Sequence, residues 1–182
     1  MRSFLLMLAL AVSTVRGDAQ KTFTALLTNN PAPEHREKLM LFGQFVGSWK
    51  FSGFEYHDDG ARVTDRGEIH FRWVLQGRAI QDVWLETSRS DSAQRLYGTT
   101  IRFYDPKIDS WKNTFIDPEW GVVTTLNGNQ VGSEIVLLGT GSDGSPIRWI
   151  FSDIKQDSFH WRAEKRNGKQ WQIYEELWTK RL

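Results

Sequence analysis

The chain has 182 residues, with nine Trp, eleven Phe and four Tyr but no Cys. Its 23 Lys and Arg nearly balance 22 Asp and Glu, which excludes a large polycationic surface for nucleic acid and a disordered chain of one dominant charge. Without cysteine there is no disulfide, no thiolate nucleophile and no cysteine-ligated metal, so the core of a single domain has to carry the stability.

Arg2 precedes an apolar run from Phe4 to Val12, and the small residues Gly17 and Ala19 follow at positions a signal peptidase accepts. The run is too short to cross about 30 Å of hydrocarbon, so it predicts a signal peptide over residues 1–19 and a secreted or periplasmic protein. Cleavage after Ala19 removes Arg2, Arg16 and Asp18 and leaves a formally neutral chain. No Cys follows the run, so a bacterial lipoprotein anchor is excluded, and nothing later approaches a membrane span. The stretch 20–33 is polar, ends in Asn29-Asn30-Pro31-Ala32-Pro33, and reads as a flexible leader.

Glu34 to Val46 carries Leu39, Phe42 and Val46 at spacings of three and four, with Glu34 and Glu37 early. That spacing and charge placement predict an amphipathic helix of about three turns. Beyond Gly47, turn signals recur at Asp58-Asp59-Gly60, Gln76-Gly77, Ser88–Ser92, Asp105-Pro106, Asp117-Pro118, Asn127-Gly128-Asn129, Gly141–Gly144, Lys155–Asp157 and Asn167-Gly168. The segments between them are rich in β-branched and aromatic residues, so these breaks predict about ten short antiparallel strands joined by hairpins. Ile69, Phe71, Trp73 and Leu75 share one face with Glu68, His70 and Arg72 opposite; Ile147, Trp149 and Phe151 repeat the spacing, as do Phe159, Trp161 and Ala163. One face of each strand is therefore packed. In the last strand Trp171, Ile173, Glu175 and Leu177 fall on one side and Tyr174, Glu176 and Trp178 on the other. Apolar groups on both faces mean either an outer cover or a strand that lines a cavity. Closure of the meander into an all-β, up-and-down barrel removes both exposed edges.

The helix leading into Gly47-Ser48-Trp49 resembles the Gly-x-Trp opening of lipocalin-type (calycin) barrels, which place an Arg of the last strand over that Trp. Lys180 and Arg181 stand where that residue falls. The segment from Phe71 to Arg78, its continuation Asp82-Val83-Trp84, and the stretch from Phe103 to Trp111 are similar to blocks of the DUF1579 family of uncharacterised proteins. The resemblance covers about residues 34 to 182 and implies a lipocalin-like barrel related to nitrobindins; it implies no settled activity. Gly47, Trp49 and Arg181 are then structural: glycine lets the chain bend from helix to strand, and the guanidinium covers the indole.

Gly139-Thr140-Gly141-Ser142-Asp143-Gly144 matches Gly-x-Gly-x-x-Gly, but Ser145-Pro146 leads into a strand where a dinucleotide site needs a helix. The four His show no metal-ligand spacing. Nitrobindin-type barrels bind haem through a His, yet His160 lies between Phe159 and Trp161, and His70 beside Phe71, so both point away from the packed face. No cofactor or metal is therefore expected, and no catalytic residue is assigned. The leading expectation is a barrel that binds a small apolar or amphipathic molecule through Trp73, Trp149, Phe151, Trp161 and Glu175, with no nucleic-acid partner. Two alternatives stay open: an isomerase or hydrolase using Glu175 with Arg78, Arg102, Arg148 or Arg162 as partner, and an interaction module presenting outward aromatics such as Trp84 or Trp120.

Overall fold

In the computed structural model, which describes residue 26 and residues 28–87 and 94–182, the chain enters the fold through a short helix, α1 (Arg36–Gly43). The signal peptide expected over 1–19 and the turn expected at Ser88–Ser92 lie outside the described residues. The helix is shorter than the predicted Glu34–Val46. His35 at its start has left-handed backbone (φ 58°) and gives no side-chain cap, while Phe45 and Val46 bond back three residues to Phe42 and Gly43 as tight turns. Leu39, Phe42 and Phe45 point into the core.

Ten strands follow: β1 (Gly47–Tyr56), β2 (Arg62–Val74), β3 (Ala79–Thr87), β4 (Gln94–Asp105), β5 (Ser110–Asp117), β6 (Val122–Val131), β7 (Glu134–Thr140), β8 (Pro146–Ser152), β9 (Ser158–Asn167) and β10 (Gln170–Arg181). Each pairs antiparallel with the next, and β1 pairs with β10 to close the barrel, Trp49 opposite Arg181 and Glu55 opposite Glu175. This is the up-and-down barrel that the turn spacing predicts. One break is misplaced: Asn127-Gly128-Asn129 lies inside β6, and the chain turns at Gly132 (φ 62°). A Cβ on Gly128 would strike the Val136 carbonyl, so this glycine permits close backbone approach within a strand.

The end of the stretch read as a leader is tied to the barrel. Thr28 N donates to Trp73 O (3.2 Å), Ala32 N donates to Gly77 O (3.0 Å), and Ala32 is buried. Gly77 has φ 81°, and a Cβ there would collide with the backbone of Asn30 to Ala32, so only glycine lets this segment lie on the β2–β3 turn.

Two register shifts change which side chains face inward. Between β3 and β4 the pairing steps from Trp84–Gly98 to Leu85–Leu96, leaving Tyr97 as an extra residue. Between β9 and β10 it steps from Ile173–Glu164 to Glu175–Ala163, leaving Tyr174 as the extra one. Such a bulge flips the alternation of the strand beyond it. Trp171 therefore lies on the outer wall between Arg148 and Arg166 (4.5 and 5.8 Å from the ring centre), whereas Tyr174, Glu175 and Leu177 face inward. The face shared by Trp171, Ile173 and Glu175 in the unbroken alternation is split by this bulge.

The half of the barrel beneath α1 is solid. Phe45 packs against Phe71, Phe151 and Phe159 at 5.9, 5.2 and 4.7 Å between ring centres. Phe42 meets Trp111 at 4.8 Å and Phe151 at 5.5 Å, both edge-on. Among these rings the Arg102 guanidinium is ion-paired with Asp82, whose other oxygen accepts from Trp84 Nε1 (2.8 Å) and Thr100 N (3.1 Å). At the rim the Arg181 guanidinium sits 4.1 Å from the Trp49 ring centre. It donates to the carbonyls of Gln44 (2.9 Å), Val46 (3.0 Å) and Gln156 (2.9 Å). Gly47 (φ 140°) leaves room for it, since a Cβ there would meet Arg181 Nη1. Among the described residues no helix is long and apolar enough to cross a membrane.

Candidate ligand-binding cavity

The other half of the barrel is hollow. A cavity of about 550 Å³ opens at the end opposite α1, between the β1–β2, β5–β6 and β7–β8 turns. Its volume is in the range of small-molecule sites. Its wall is a connected row of rings: Trp84 meets Trp161 at 5.4 Å, Trp161 meets Trp149 at 5.5 Å, and Trp149 meets Phe115 at 5.6 Å, all edge-to-face, and Phe115 meets Tyr97 at 6.0 Å. Trp149 Nε1 donates to the Tyr174 hydroxyl at 3.1 Å. Both bulge tyrosines thus complete this wall, and each is there because its strand carries one extra residue.

The polar lining is acidic. Glu55, Asp58, Asp117, Asp143 and Glu175 line the cavity against a single cation, Lys165, among the described lining residues. Lys165 is paired with Asp143 at 2.6 Å, which with the Ser145 amide holds that carboxyl down at about 2. Asp117 Oδ1 accepts the amides of Glu119 (2.9 Å) and Trp120 (3.0 Å) and so builds the β5–β6 turn. Glu175 has no such bond among the described residues. The surface it exposes opens onto the cavity. Burial pushes its carboxyl up to about 8, and the charges of Asp65, Glu55 and Glu86 push in the same direction. Burial, with the charges of Glu175, Asp117, Glu55 and Asp65, raises the Tyr97 hydroxyl above its ordinary value, and burial carries Tyr174 up to about 12.

Of the residues expected to bind a ligand, Trp149, Trp161 and Glu175 line this cavity; Trp73 and Phe151 do not. Trp73 packs under the helix, where Gly43 leaves space for its indole, and Phe151 belongs to the phenylalanine cluster below. Glu175 has no arginine partner among the described residues: Arg102 is taken by Asp82, Arg148 and Arg162 reach Glu164 on the outer wall, and Arg78 bonds Gln76. Trp84 is buried, and Trp120, 75% exposed, stands at the mouth. They form no joint outer patch. Gly141–Gly144 is a mouth turn, closed by Gly141 N donating to Ser145 O at 2.8 Å. His160 stacks on Trp178 at 4.8 Å on the outer wall, its Nε2 lying 3.1 Å from Glu176, and His70 sits between Ser48 and Glu68. Among the described residues no three acids or histidines form a metal-binding group.

A closed ten-stranded barrel, helix-plugged at one end and hollow at the other, is a lipocalin-like architecture. Solved structures agree on the fold. Rv2717c from M. tuberculosis is similar at a TM-score of 0.60 with 13% identity, over 84% of this chain and 99% of that one. An S-type phycobiliprotein lyase, CPES, from Guillardia theta is similar at 0.54 with 11% identity, over 79% and 91%. No family model matches the chain, and no curated protein matches it.

Proposed function

We propose that this chain is an exported lipocalin-like barrel that holds a small apolar or amphipathic molecule in its cavity without transforming it. The observation that carries the reading is the cavity of about 550 Å³ walled by Trp84, Trp161, Trp149, Phe115 and Tyr97. Rings fixed by edge-to-face contacts present a preformed apolar surface, so little ordering free energy is spent when a ligand enters. Kinship with the DUF1579 proteins, carried by the Phe71–Arg78 and Phe103–Trp111 segments, belongs to the same proposal. The S-type phycobiliprotein lyase shares the fold at 11% identity, and neither its activity nor a substrate is carried over.

Titration with the neutral fluorophore N-phenyl-1-naphthylamine tests this. The mature chain should bind one molecule with micromolar affinity. Trp149→Ala should weaken it about tenfold, and Thr124→Phe, which fills the cavity from β6, should abolish it while circular dichroism stays unchanged. No binding by the unaltered protein, or binding that survives Thr124→Phe, overturns the reading.

A further inference from the structure

The cavity wall carries an unusual imbalance. Its body is aromatic, its lining carboxylates are five, and its one described cation is already paired. A site built for a fatty acid or another anion would bring negative charge toward Glu55, Asp58 and Asp117, at a cost that no described free base offsets. A site built for a neutral molecule would have no need of a carboxyl pointing inward from the strand wall. Here the chain places one by two separate devices. The β10 bulge turns Glu175 inward, and the pairing of β1 with β10 sets it directly opposite Glu55.

We propose, building on the small-molecule reading above, that the cavity is a receptor for an organic ammonium compound: its apolar body lies against Trp84, Trp149 and Trp161, and its charged nitrogen meets Glu175. Indole faces attract cations, and the attraction grows where water is excluded. An ammonium nitrogen within about 3 Å of Glu175 supplies the counter-charge that the barrel itself does not. Glu55 and Asp58 near the mouth add a field that draws cations in.

Proton linkage makes the idea measurable. Glu175 feels Glu55 from β1, Asp65 from β2 and Glu86 from β3, interacts with Tyr97 from β4 and with its neighbour Tyr174, and shares the cavity lining with Asp58, Asp117, Asp143 and Lys165; Arg95 occupies the register position opposite Glu86. In the empty cavity burial and the carboxylates hold Glu175 protonated through neutral pH, its carboxyl titrating at about 8. A bound ammonium favours the ionised form, so binding releases this proton, and affinity for a cation rises as pH rises toward that value.

Calorimetry on the mature chain with three probes of one shape separates the outcomes: 1-naphthylmethylammonium, neutral 1-ethylnaphthalene and 1-naphthylacetate. The ammonium should bind at least tenfold tighter than the neutral probe, and the acetate weakest. Affinity for the ammonium should rise about tenfold from pH 6.5 to 8.5, with proton release. In Glu175→Gln this rise and the proton release should both vanish while circular dichroism stays unchanged. Neutral or anionic probes that match the ammonium overturn the cation assignment and leave the cavity a binding site. If no probe of the three binds, the small-molecule reading itself fails.

Discussion

Glu175 concentrates the conflict between stability and function in one side chain. Its carboxyl titrates at about 8 in the barrel, against 4.5 for an unperturbed glutamate. The folded protein therefore holds a proton that the unfolded chain has lost, and folding is penalised progressively as pH rises from about 4.5 to 8. Glu175→Gln removes that penalty. The variant should match the parent in urea unfolding at pH 4 and exceed it on the order of 2 kcal/mol at pH 8, a figure discounted because cavity water screens the charge. Equal stability at both pH values would show that Glu175 is solvated like any surface carboxylate. A carboxyl that costs stability yet faces a cavity is what a binding role predicts.

At the scale of elements, the barrel depends on how its last strand is fastened to its first. Arg181 joins three pieces: the carbonyls of Gln44 and Val46 after α1, the Gln156 carbonyl of the β8–β9 turn, and the Trp49 ring of β1. Arg181→Ala removes one cation–π contact and leaves three carbonyls to water, and should lower unfolding free energy by about 2–3 kcal/mol. Arg181→Lys should recover little of this, because an ammonium cannot span three divergent acceptors in the plane of a guanidinium. A loss below about 0.5 kcal/mol in denaturant melts would reduce Arg181 to a surface tail.

The same elements show what a sequence exposes and what it hides. The alternation of Ile69, Phe71 and Trp73, or of Ile147, Trp149 and Phe151, is local and survives folding, so strand number, hairpin order and the packed face are legible. Glu55 was missed, although the alternation of Trp49, Phe51, Gly53 and Glu55 on one face of β1 is the signal that finds it. The bulges at Tyr97 and Tyr174 were not legible, because a bulge is defined only against the register of a partner strand. Asn127-Gly128-Asn129 carries turn chemistry, but its glycine serves an approach to Val136 that is visible only in three dimensions. Which end of the barrel is hollow was equally hidden. Trp73 and Phe151 share the alternation of Trp149 and Trp161; depth along the barrel separates them, and α1 occupies their end.

For the molecule as a whole, the aromatic content divides into two tasks. Phe42, Phe45, Phe71, Phe151, Phe159, Trp49 and Trp111 make a solid plug beneath the helix, tight enough to hold the Asp82–Arg102 pair. Trp84, Trp149, Trp161, Phe115, Tyr97 and Tyr174 wall a cavity open at the far end. The plug fixes the barrel, and the rigid barrel keeps the wall preformed. Fluorine NMR of the chain labelled with 5-fluorotryptophan reads both regions at once, since the nine Trp are distributed over plug, cavity and outer wall. On saturation with 1-naphthylmethylammonium, the resonances of Trp84, Trp149 and Trp161 should shift, with Trp120 at the mouth. Those of Trp49, Trp73 and Trp111 in the plug and of Trp171 and Trp178 outside should stay in place. Shifts confined to the outer-wall tryptophans, with the three cavity resonances unmoved, would contradict a binding site inside this barrel.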